Sequence, residues 1–342
     1  MLFFKKKKEP AQPVLTPPER VAAYESGCLA CPQCGFRMPL ERLQPLNMVQ
    51  CPKCTGIHFV PLKVAHFWLF QPLGGGAMGS VYKAVSSRLP DQYFAVKVLP
   101  RNAKSRPALI QALLNEASIA KIFGVHPCLV PWVDSGFAHG EYYYGAAFID
   151  GERLDKKIDM TGRLPEELVL QLSLHILAAE QHIYDSGYLY RDLKPENIII
   201  NIKGYAVLFD YGLCAPREKA LNPTDEYISG SPYYLPPERL LGQGEDMFSE
   251  IYSLGMVMYY ALTGETYFDA EEVESLAKRH VSKARLSVSG RMRDFRPELV
   301  ALLTSMIKQD ATQRYQSFAE VAMVIRTIIP PTPAALPAPA SP

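Results

Sequence analysis

The sequence predicts an α+β protein in which a strand-rich part precedes a larger helical part, with a small cysteine-rich module in front of both. Three observations support this fold class. Apolar residues alternate on either side of a glycine-rich stretch between about residues 66 and 98, which is typical of strands. They then recur at three- and four-residue spacing as far as about residue 328, which is typical of helices. Finally, five of the seven cysteines lie between positions 28 and 54.

Composition limits the possible functions. The chain of 342 residues is 48 % hydrophobic and 21 % charged, as expected of a soluble globular protein. Its net charge of +1 gives no bulk electrostatic reason to expect a nucleic acid or an anionic membrane as partner. The run Lys5 to Lys8 favours a solvated terminus, with weak attachment to an anionic surface as the alternative. No apolar run approaches the ~18 residues of a membrane helix, and MLFFKKKK does not fit a signal peptide, so a cytoplasmic location is predicted.

Both ends of the chain are predicted to lack a fixed structure. Residues 1–23 carry Lys, Pro and Glu with little apolar content and are expected to be a flexible lead-in. Residues 329–342 are rich in Pro and Ala and are expected to be an unfolded tail. Between them, residues 24–62 hold the cysteine module and residues 66–328 form the long periodic region.

The cysteine module contains two nearly identical knuckles, CPQCG at 31–35 and CPKCTG at 51–56. Each C-x-x-C turn directs two thiolates at one centre, and two turns complete a tetrahedron, which resembles a zinc ribbon with a structural zinc. Cys28 is an alternative ligand, and His58 is a spare one that we interpret as a strand residue. About 40 residues cannot build much core, so the metal would supply the folding energy. The preferred ligands are Cys31, Cys34, Cys51 and Cys54.

The glycine-rich stretch GGGAMGSV, from Gly74 to Val81, fits the spacing G-x-G-x-x-G-x-V. It follows one apolar strand and leads into another, whereas a Rossmann phosphate turn leads into a helix. Its glycines let backbone N–H groups close over phosphates without obstruction by side chains. Sixteen residues after Val81, Lys97 lies in the apolar strand FAVK, where it needs a partner or an anionic ligand. Glu116 in the following helix can supply the pairing carboxylate.

The loop YRDLKPEN, from Tyr190 to Asn197, holds the residue types that move a phosphoryl group. Asp192 can accept a hydrogen bond from a substrate hydroxyl and take its proton late, and Lys194 can neutralise charge on the transferring group. Asn197 can coordinate a metal. Eighteen residues after Asp192, Asp210 ends a strand in VLFDYG, and its carboxylate can bind Mg²⁺ that bridges the nucleotide phosphates. Such catalysis requires mainly positioning and charge stabilisation.

These landmarks follow one another in the order GGGAMGSV, FAVK, Glu116, YRDLKPEN, DYG and SPYYLPPERL. The order resembles the eukaryotic-type (Hanks-type) serine/threonine protein kinases, and bacterial members most closely, over residues 66–328. The resemblance implies a two-lobed kinase fold and transfer of the γ-phosphoryl of ATP to a hydroxyl of a protein substrate. It assigns catalysis to Asp192, Lys194 and Asn197, and Mg²⁺ to Asn197 and Asp210. The residues that it assigns to nucleotide binding are Gly74, Gly75, Gly76, Ala77, Met78, Gly79, Val81, Ala95, Lys97, Glu116, Ala147, Ile149 and Ile199.

The resemblance also assigns residues to an activation segment between DYG and PPE. Ser231 would contact the catalytic Asp and Lys near the acceptor, and Glu238 would form a buried ion pair with Arg314. A phosphate on the segment could pair with Arg191, although an unmodified segment is nearly as well supported. The candidate sites for that phosphate are Thr224, which is the best of them, Tyr227 and Ser229.

Four departures from the family pattern stand out. Tyr190 replaces a His and would pack beside Tyr211, which stands where the family has a Phe. Glu250 replaces an Asp that holds the backbone of the catalytic loop, and Ala120 fills a stack position that is usually larger. The fourth is Ala146, at the position that guards the back of the nucleotide pocket, where the residue is also usually larger. We interpret these departures as packing, because none removes a group that touches ATP, metal or hydroxyl. An active kinase is therefore favoured over a pseudokinase scaffold that binds nucleotide and protein partners without transfer. For the ribbon, a protein partner or packing on the small lobe is favoured over nucleic acid.

Overall fold

The computed structural model describes residues 15–76, 79–99, 106–223, 230–270, 272–282 and 287–329. The chain divides into two compact units. The first comprises Met1–Ser118 and Trp132–Phe148, and the second comprises Ile119–Pro131 and Ile149–Pro342. None of the helices in the described ranges is both long and apolar enough to span a membrane.

The strands of the first unit are β1 (Cys28–Ala30), β2 (Arg37–Pro39), β3 (Met48–Gln50), β4 (Ile57–Phe59), β5 (Leu62–Val64), β6 (Phe67–Gly76), β7 (Gly79–Ser86), β8 (Tyr93–Val98), β9 (Trp132–Ala138) and β10 (Glu141–Ala147). Six of them form an antiparallel sheet in the order β5–β6–β7–β8–β10–β9. Two short hairpins, β1–β2 and β3–β4, hold the cysteine knuckles. The helices that begin in this unit are α1 (Pro17–Glu25) and α2 (Pro107–Phe123).

The two faces of this sheet are covered by different residues. Because side chains alternate along a strand, Phe67 and Leu69 of β6 point to one face and Trp68 and Phe70 to the other. Phe67 and Leu69 belong to a core whose buried members in the described ranges all lie on strands of the sheet. Trp68 and Phe70 instead belong to a core that the sheet shares with α1 and the two hairpins. The buried members of this shared core are Tyr24, Leu29, Met38, Val60, Phe70 and Val85.

The prediction of a flexible lead-in over residues 1–23 is wrong for its last part, because α1 occupies Pro17–Glu25. The helix begins with a capping box, in which the side chain of Glu19 accepts a hydrogen bond from the N–H of Thr16 at 2.8 Å. It also buries apolar surface on the sheet, where Tyr24 is 4 % exposed. Packing on the sheet therefore stabilises a helix that would be too short to persist alone. The earlier part of the lead-in lies outside the described residues.

The second unit is mainly helical. Its helices are α3 (Leu154–Thr161), α4 (Glu166–Asp185), α5 (Arg217–Leu221), α6 (Pro237–Leu240), α7 (Met247–Thr263), α8 (Val273–Val281), α9 (Val288–Arg291), α10 (Pro297–Met306) and α11 (Phe318–Ile328). Its short strands are β11 (Gly151–Arg153), β12 (Tyr188–Leu189), β13 (Ile198–Asn201), β14 (Ala206–Leu208) and β15 (Ala215–Pro216). Strands β11–β13–β14 form one small sheet and β12–β15 another. Helix α7 is buried along nearly its whole length and packs against α4 and α10.

The spacing of apolar residues in the sequence predicts helices at 249–263, 271–281, 297–308 and 317–328. Helices α7, α8, α10 and α11 confirm them to within two residues at either end. The apolar run Leu129–Val133 predicts a strand, and this prediction is wrong in its first half, since β9 runs from Trp132 to Ala138. Leu129 instead forms an isolated bridge with Leu208. An apolar run does not show which of its residues pair with a neighbouring strand. The sequence alone therefore could not distinguish the bridge at Leu129 from the strand that begins at Trp132.

Candidate functional site

The described glycines of the glycine-rich stretch lie at the end of β6 and the start of β7. The two strands pair as far as Gly76 opposite Gly79. Gly79 has a φ of 145°, and a Cβ built there would lie 3.0 Å from the carbonyl oxygen of Val98. Only glycine fits this position without strain. The predicted phosphate-binding residues Ala77 and Met78 lie outside the described residues.

Lys97 and Glu116 form an ion pair in the first unit. The Nζ of Lys97 on β8 is 2.6 Å from Oε2 of Glu116 on α2, and their side chains are 16 % and 6 % exposed. Burial strengthens this charge-assisted contact because little water competes for it. Strand β8 buries Phe94 and Val96 on its other face, which directs Lys97 away from the sheet core. The predicted pairing of these two residues is therefore present.

The residues predicted to surround the adenine are distributed over several strands. In the β7–β8 register, Val81 lies opposite Lys97. Ala95 is on the same strand as Lys97, and Ala147 ends β10 opposite Phe94. In the second unit, Ile149 precedes β11, and Ile199 lies on β13 opposite Val207. Their contact with a nucleotide stays a prediction.

The catalytic loop of the second unit brings three predicted residues together at one carboxyl group. Oδ2 of Asp192 accepts hydrogen bonds from Nζ of Lys194 and Nδ2 of Asn197, each at 2.7 Å. Asp192 is 8 % exposed, and this burial raises its pKa against the opposing effect of the Lys194 ammonium. Of the described residues, none donates a hydrogen bond to the other oxygen, Oδ1. The loop therefore fixes the carboxyl group and leaves one oxygen for another donor.

Left-handed backbones occur at Arg191 within this loop, with a φ of 67°, and at Asp210 shortly after β14, with a φ of 65°. Such a conformation costs a non-glycine residue about 1–2 kcal/mol. At Arg191 it is stabilised from both sides of the residue. The N–H of Arg191 donates to Oε1 of Glu250 at 2.8 Å, and its carbonyl oxygen accepts from Nη1 of Arg239 at 2.6 Å. Glu250 thus holds the backbone directly before Asp192, although it is one methylene longer than the usual Asp.

The guanidinium of Arg191 already has an acidic partner. Glu245, which is 1 % exposed, lies 2.8 Å from Nη2 of Arg191 and 2.5 Å from Nη2 of Arg239. Sequence reasoning missed Glu245, and no local motif marks it. A phosphate on the activation segment would have to compete with this buried carboxylate for Arg191. The candidate phosphorylation sites Thr224, Tyr227 and Ser229 lie outside the described residues.

An aromatic cluster supports the catalytic loop. Tyr190 is 1 % exposed, and its hydroxyl donates to the carbonyl oxygen of Phe209 at 2.5 Å. Its ring lies 6.4 Å from that of Tyr211, whose hydroxyl donates to the carbonyl oxygen of Val130 at 3.0 Å. Tyr211 in turn packs edge-on against Phe123, with ring centroids 5.2 Å apart. Sequence reasoning considered Ala120 for this stack, but the ring comes from Phe123, three residues further along α2 and on the same side of the helix.

Replacing Tyr190 with Phe tests this packing role. The change removes only the hydroxyl and leaves the buried carbonyl of Phe209 without its donor, so we expect the free energy of unfolding to fall by about 1–3 kcal/mol. Phosphoryl transfer measured at a temperature where both proteins are folded should be retained. Tyr190→His should behave similarly, with altered stability and retained transfer. Loss of transfer in a well-folded Tyr190→Phe protein would show that the hydroxyl does more than support the loop.

The ion pair expected at the end of the activation segment is present. Arg314 donates to the two carboxyl oxygens of Glu238 at 2.8 and 3.0 Å, and the side chains are 0 % and 4 % exposed. The hydroxyl of Ser249 also donates to Glu238, at 2.6 Å. Further carbonyl oxygens accept from the guanidinium, so the buried charges are well compensated. By contrast, no hydrogen bond within the described residues joins Ser231 to Asp192 or Lys194.

The four preferred cysteines form one cluster. Their sulfur atoms all lie within 4.8 Å of one another, with 3.4 Å between Cys31 and Cys54 and 3.7 Å between Cys34 and Cys51. A tetrahedral zinc with Zn–S bonds of about 2.3 Å separates its sulfurs by roughly 3.8 Å. The donor set therefore fits a structural zinc ion.

The two knuckles have the same backbone turn. The N–H of Cys31 donates to the carbonyl of Phe36, and that of Cys51 donates to the carbonyl of Gly56, both at 2.8 Å. The left-handed position within each turn is occupied by Gly35 in one knuckle and by Thr55, with a φ of 63°, in the other. Both knuckle sequences contain a glycine, but Gly56 lies one position after the place in the turn that Gly35 occupies, so the two glycines are not equivalent.

The remaining two candidate ligands differ in their relation to the cluster. Cys28 lies on β1 opposite Pro39 and is not part of the four-sulfur group found among the described residues. His58 is a strand residue on β4, as expected, but its Nε2 also lies 3.2 Å from the sulfur of Cys31. A ring nitrogen at this distance can orient the sulfur without being a ligand itself.

Comparison with known proteins identifies the family. Residues 67–324 match the protein kinase domain. The chain is 27 % identical over 254 residues to a probable serine/threonine-protein kinase of Clostridium perfringens, covering 74 % of this chain and 37 % of the relative. It is 27 % identical over 265 residues to a probable serine/threonine-protein kinase PknB of Lactococcus lactis, covering 76 % and 41 %, and 28 % identical over 262 residues to serine/threonine-protein kinase PrkC of Bacillus subtilis, covering 76 % and 40 %. The chain thus spans about two-fifths of the length of these relatives. With the catalytic loop, the Lys97–Glu116 pair and the match over residues 67–324 all in agreement, the chain belongs to the protein kinase family.

Proposed function

We propose that the protein is a serine/threonine protein kinase that transfers the γ-phosphoryl of ATP to a hydroxyl of a protein substrate. One observation carries this proposal, namely the convergence of Lys194 and Asn197 on a single oxygen of the buried Asp192 carboxyl group. A scaffold that only bound nucleotide would not need a carboxyl group held with one oxygen engaged and the other oxygen open. The names of the bacterial relatives add support for serine and threonine as acceptors.

The residues present fit a bound Mg²⁺ and nucleotide. Asn197 uses its amide nitrogen to contact Asp192, so its amide oxygen remains available as a metal ligand. The carboxylate of Asp210 would provide a second oxygen ligand, and such oxygen ligands are the type that Mg²⁺ prefers. When bound, Mg²⁺ neutralises the developing charge on the phosphate oxygens of ATP.

The protein side chains have separate tasks in the transfer. Oδ2 of Asp192 is already engaged, so Oδ1 is the oxygen that accepts the hydrogen bond of the substrate hydroxyl and then its proton. Lys194 stabilises negative charge on the transferring group while it holds Asp192 in place. In the first unit, the buried Glu116 fixes the ammonium of Lys97 as a donor for phosphate oxygens.

The cysteine cluster supports a second part of the proposal, a structural zinc ion held by Cys31, Cys34, Cys51 and Cys54. With these four sulfurs as its ligands, a tetrahedral zinc ion would have no open position for a substrate. The zinc would fix two hairpins, of which β1–β2 contributes Leu29 and Met38 to the shared core and β3–β4 contributes the partly buried Val49. We therefore propose that the ribbon is a structural part of the kinase domain and supports its sheet. A cytoplasmic location would keep the thiols reduced.

The proposed activity is tested with the purified chain, labelled ATP and Mg²⁺. Nucleotide affinity is measured separately by calorimetry, and the products on the protein itself and on a generic protein substrate are identified by mass spectrometry. We expect phosphoserine and phosphothreonine in amounts that increase with time. Nucleotide binding without any transfer would favour the pseudokinase scaffold instead.

A further inference from the structure

Two carboxyl groups lie against each other beneath the catalytic loop. Glu180 on α4 and Glu250 on α7 are each 2 % exposed, and the two side chains are within hydrogen-bonding reach of one another. Both oxygens of Glu180 and Oε2 of Glu250 are buried, and no N–H or O–H donor of another described residue reaches them. Oε1 of Glu250 accepts from the N–H of Arg191 at 2.8 Å.

Two ionised carboxylates cannot be accommodated in this arrangement. Burial disfavours each charge, and the two charges would also repel one another at short range. Of the described residues, Glu250 is the only charged group that acts on Glu180. Glu250 faces Arg239 of α6, Arg191 of the loop and Glu245 of the segment before α7, but Glu245 already pairs with both arginines. The arginines are therefore only partly available to neutralise a charge on Glu250.

We propose that Glu180 and Glu250 form an acid–acid pair joined by a shared proton, and that this pair positions the catalytic loop. The proton supplies the donor that the buried oxygens otherwise lack, as in other pairs of carboxyl groups that share one site. With its Oε2 held by Glu180, Glu250 keeps Oε1 directed at the N–H of Arg191. Arg191 in turn carries the left-handed backbone that directly precedes Asp192. Glu180 is thus a positioning residue that acts through Glu250 and Arg191.

The direction of the pH dependence follows from the burial of the pair. Burial, together with the neighbouring carboxyl group, raises the pKa of Glu180 well above its ordinary value of 4.5. Burial raises the pKa of Glu250 as well, to about 7. The folded protein therefore keeps a proton that the unfolded chain loses above about pH 4.5. The stability contributed by the pair is complete below that pH and declines as the pH rises through the folded-state pKa values.

The first test measures unfolding by urea between about pH 5.5 and 7.5 for the wild type and Glu180→Gln. The amide of Gln can donate a hydrogen bond to Oε2 of Glu250 without taking up a proton. We expect the folded-to-unfolded ratio of the wild type, relative to that of Glu180→Gln, to fall about tenfold per pH unit, because the folded wild type holds one additional proton. The matched control is Glu167→Gln, an exposed position on the same helix, which should follow the wild type. Equal pH slopes for the wild type and Glu180→Gln would overturn the proposal.

The second test measures kcat and the KM for ATP, and it rests on the proposed kinase activity. Glu180→Gln should keep a kcat close to that of the wild type. Glu180→Leu offers no donor to Glu250, so we expect its kcat to lie about five- to tenfold below that of Glu180→Gln, with the KM for ATP unchanged. Equal kcat values for the folded Gln and Leu variants would refute a positioning role. The urea test needs no catalysis. A chain that transferred no phosphoryl group would contradict the proposed function, but the shared proton could still be measured by unfolding.

Discussion

Replacement of Asp192 by Asn is expected to lower the rate of phosphoryl transfer by about 10²–10⁴-fold, the usual contribution of a positioned proton acceptor. The amide oxygen of Asn can still accept from Lys194 and Asn197, so the shape of the loop should be kept. The amide cannot take the proton of a substrate hydroxyl, however. The loss should therefore fall on kcat, whereas the affinity for ATP should change little.

The measurement combines steady-state transfer with the dissociation constant for ATP. Asp185→Asn is a matched control, because Asp185 is an exposed acidic residue seven positions earlier, at the end of α4. It should transfer phosphate at the wild-type rate. If Asp192→Asn retained a rate within threefold of the wild type, Asp192 would not be the proton acceptor.

Loss of one cluster cysteine should have the largest effect on stability. We expect Cys51→Ser to lose its zinc and to unfold the two hairpins of the ribbon. Structural zinc contributes about 10–16 kcal/mol to the folding of zinc-finger peptides, whereas an ordinary domain is stable by only about 5–15 kcal/mol. Since Leu29, Met38 and Val60 enter the shared core, unfolding of the ribbon should also loosen the sheet of the first unit.

Metal analysis and tryptophan fluorescence together check this expectation. The wild type should contain about one zinc per chain, since one tetrahedral site is expected. Trp68 lies 5.6 Å from the ring of Tyr24 and donates to Glu25 at 2.8 Å, so its emission should report on the packing of α1 and the ribbon. Cys28→Ser is the matched control, because Cys28 lies outside the cluster and should keep both zinc and emission unchanged. Zinc binding by folded Cys51→Ser at the wild-type level would contradict the assigned ligand set.

Much of the fold and of the site could be predicted, because short local patterns carried the information. Asp192, Lys194 and Asn197 lie within six residues, so their proximity in space follows from the sequence itself. The cysteine knuckles are equally local. The sequence also contains the pattern of a capping box, Thr16 followed by Glu19 three residues later, which indicates the start of a helix. The polar composition of the lead-in instead favoured a flexible segment.

The residues that were missed make their contacts over long separations in sequence. Glu180 meets a residue 70 positions later, and Glu245 meets Arg191 across 54 positions. On a helix or in a loop, an isolated Glu usually indicates an exposed side chain, and nothing in its neighbours reveals burial. Only the packing of α4 against α7 shows that Glu180 is internal.

The shared core shows that the folded unit begins earlier in the chain than the match to the protein kinase family does. The match to the protein kinase domain begins at residue 67, inside the sheet. The apolar surface that this sheet buries nevertheless extends back to Tyr24 on α1. A fragment cut at the family boundary would present Trp68, Phe70 and Val85 to water, and an apolar patch of that kind promotes aggregation. For this chain, the smallest fragment that preserves its own interior begins before α1.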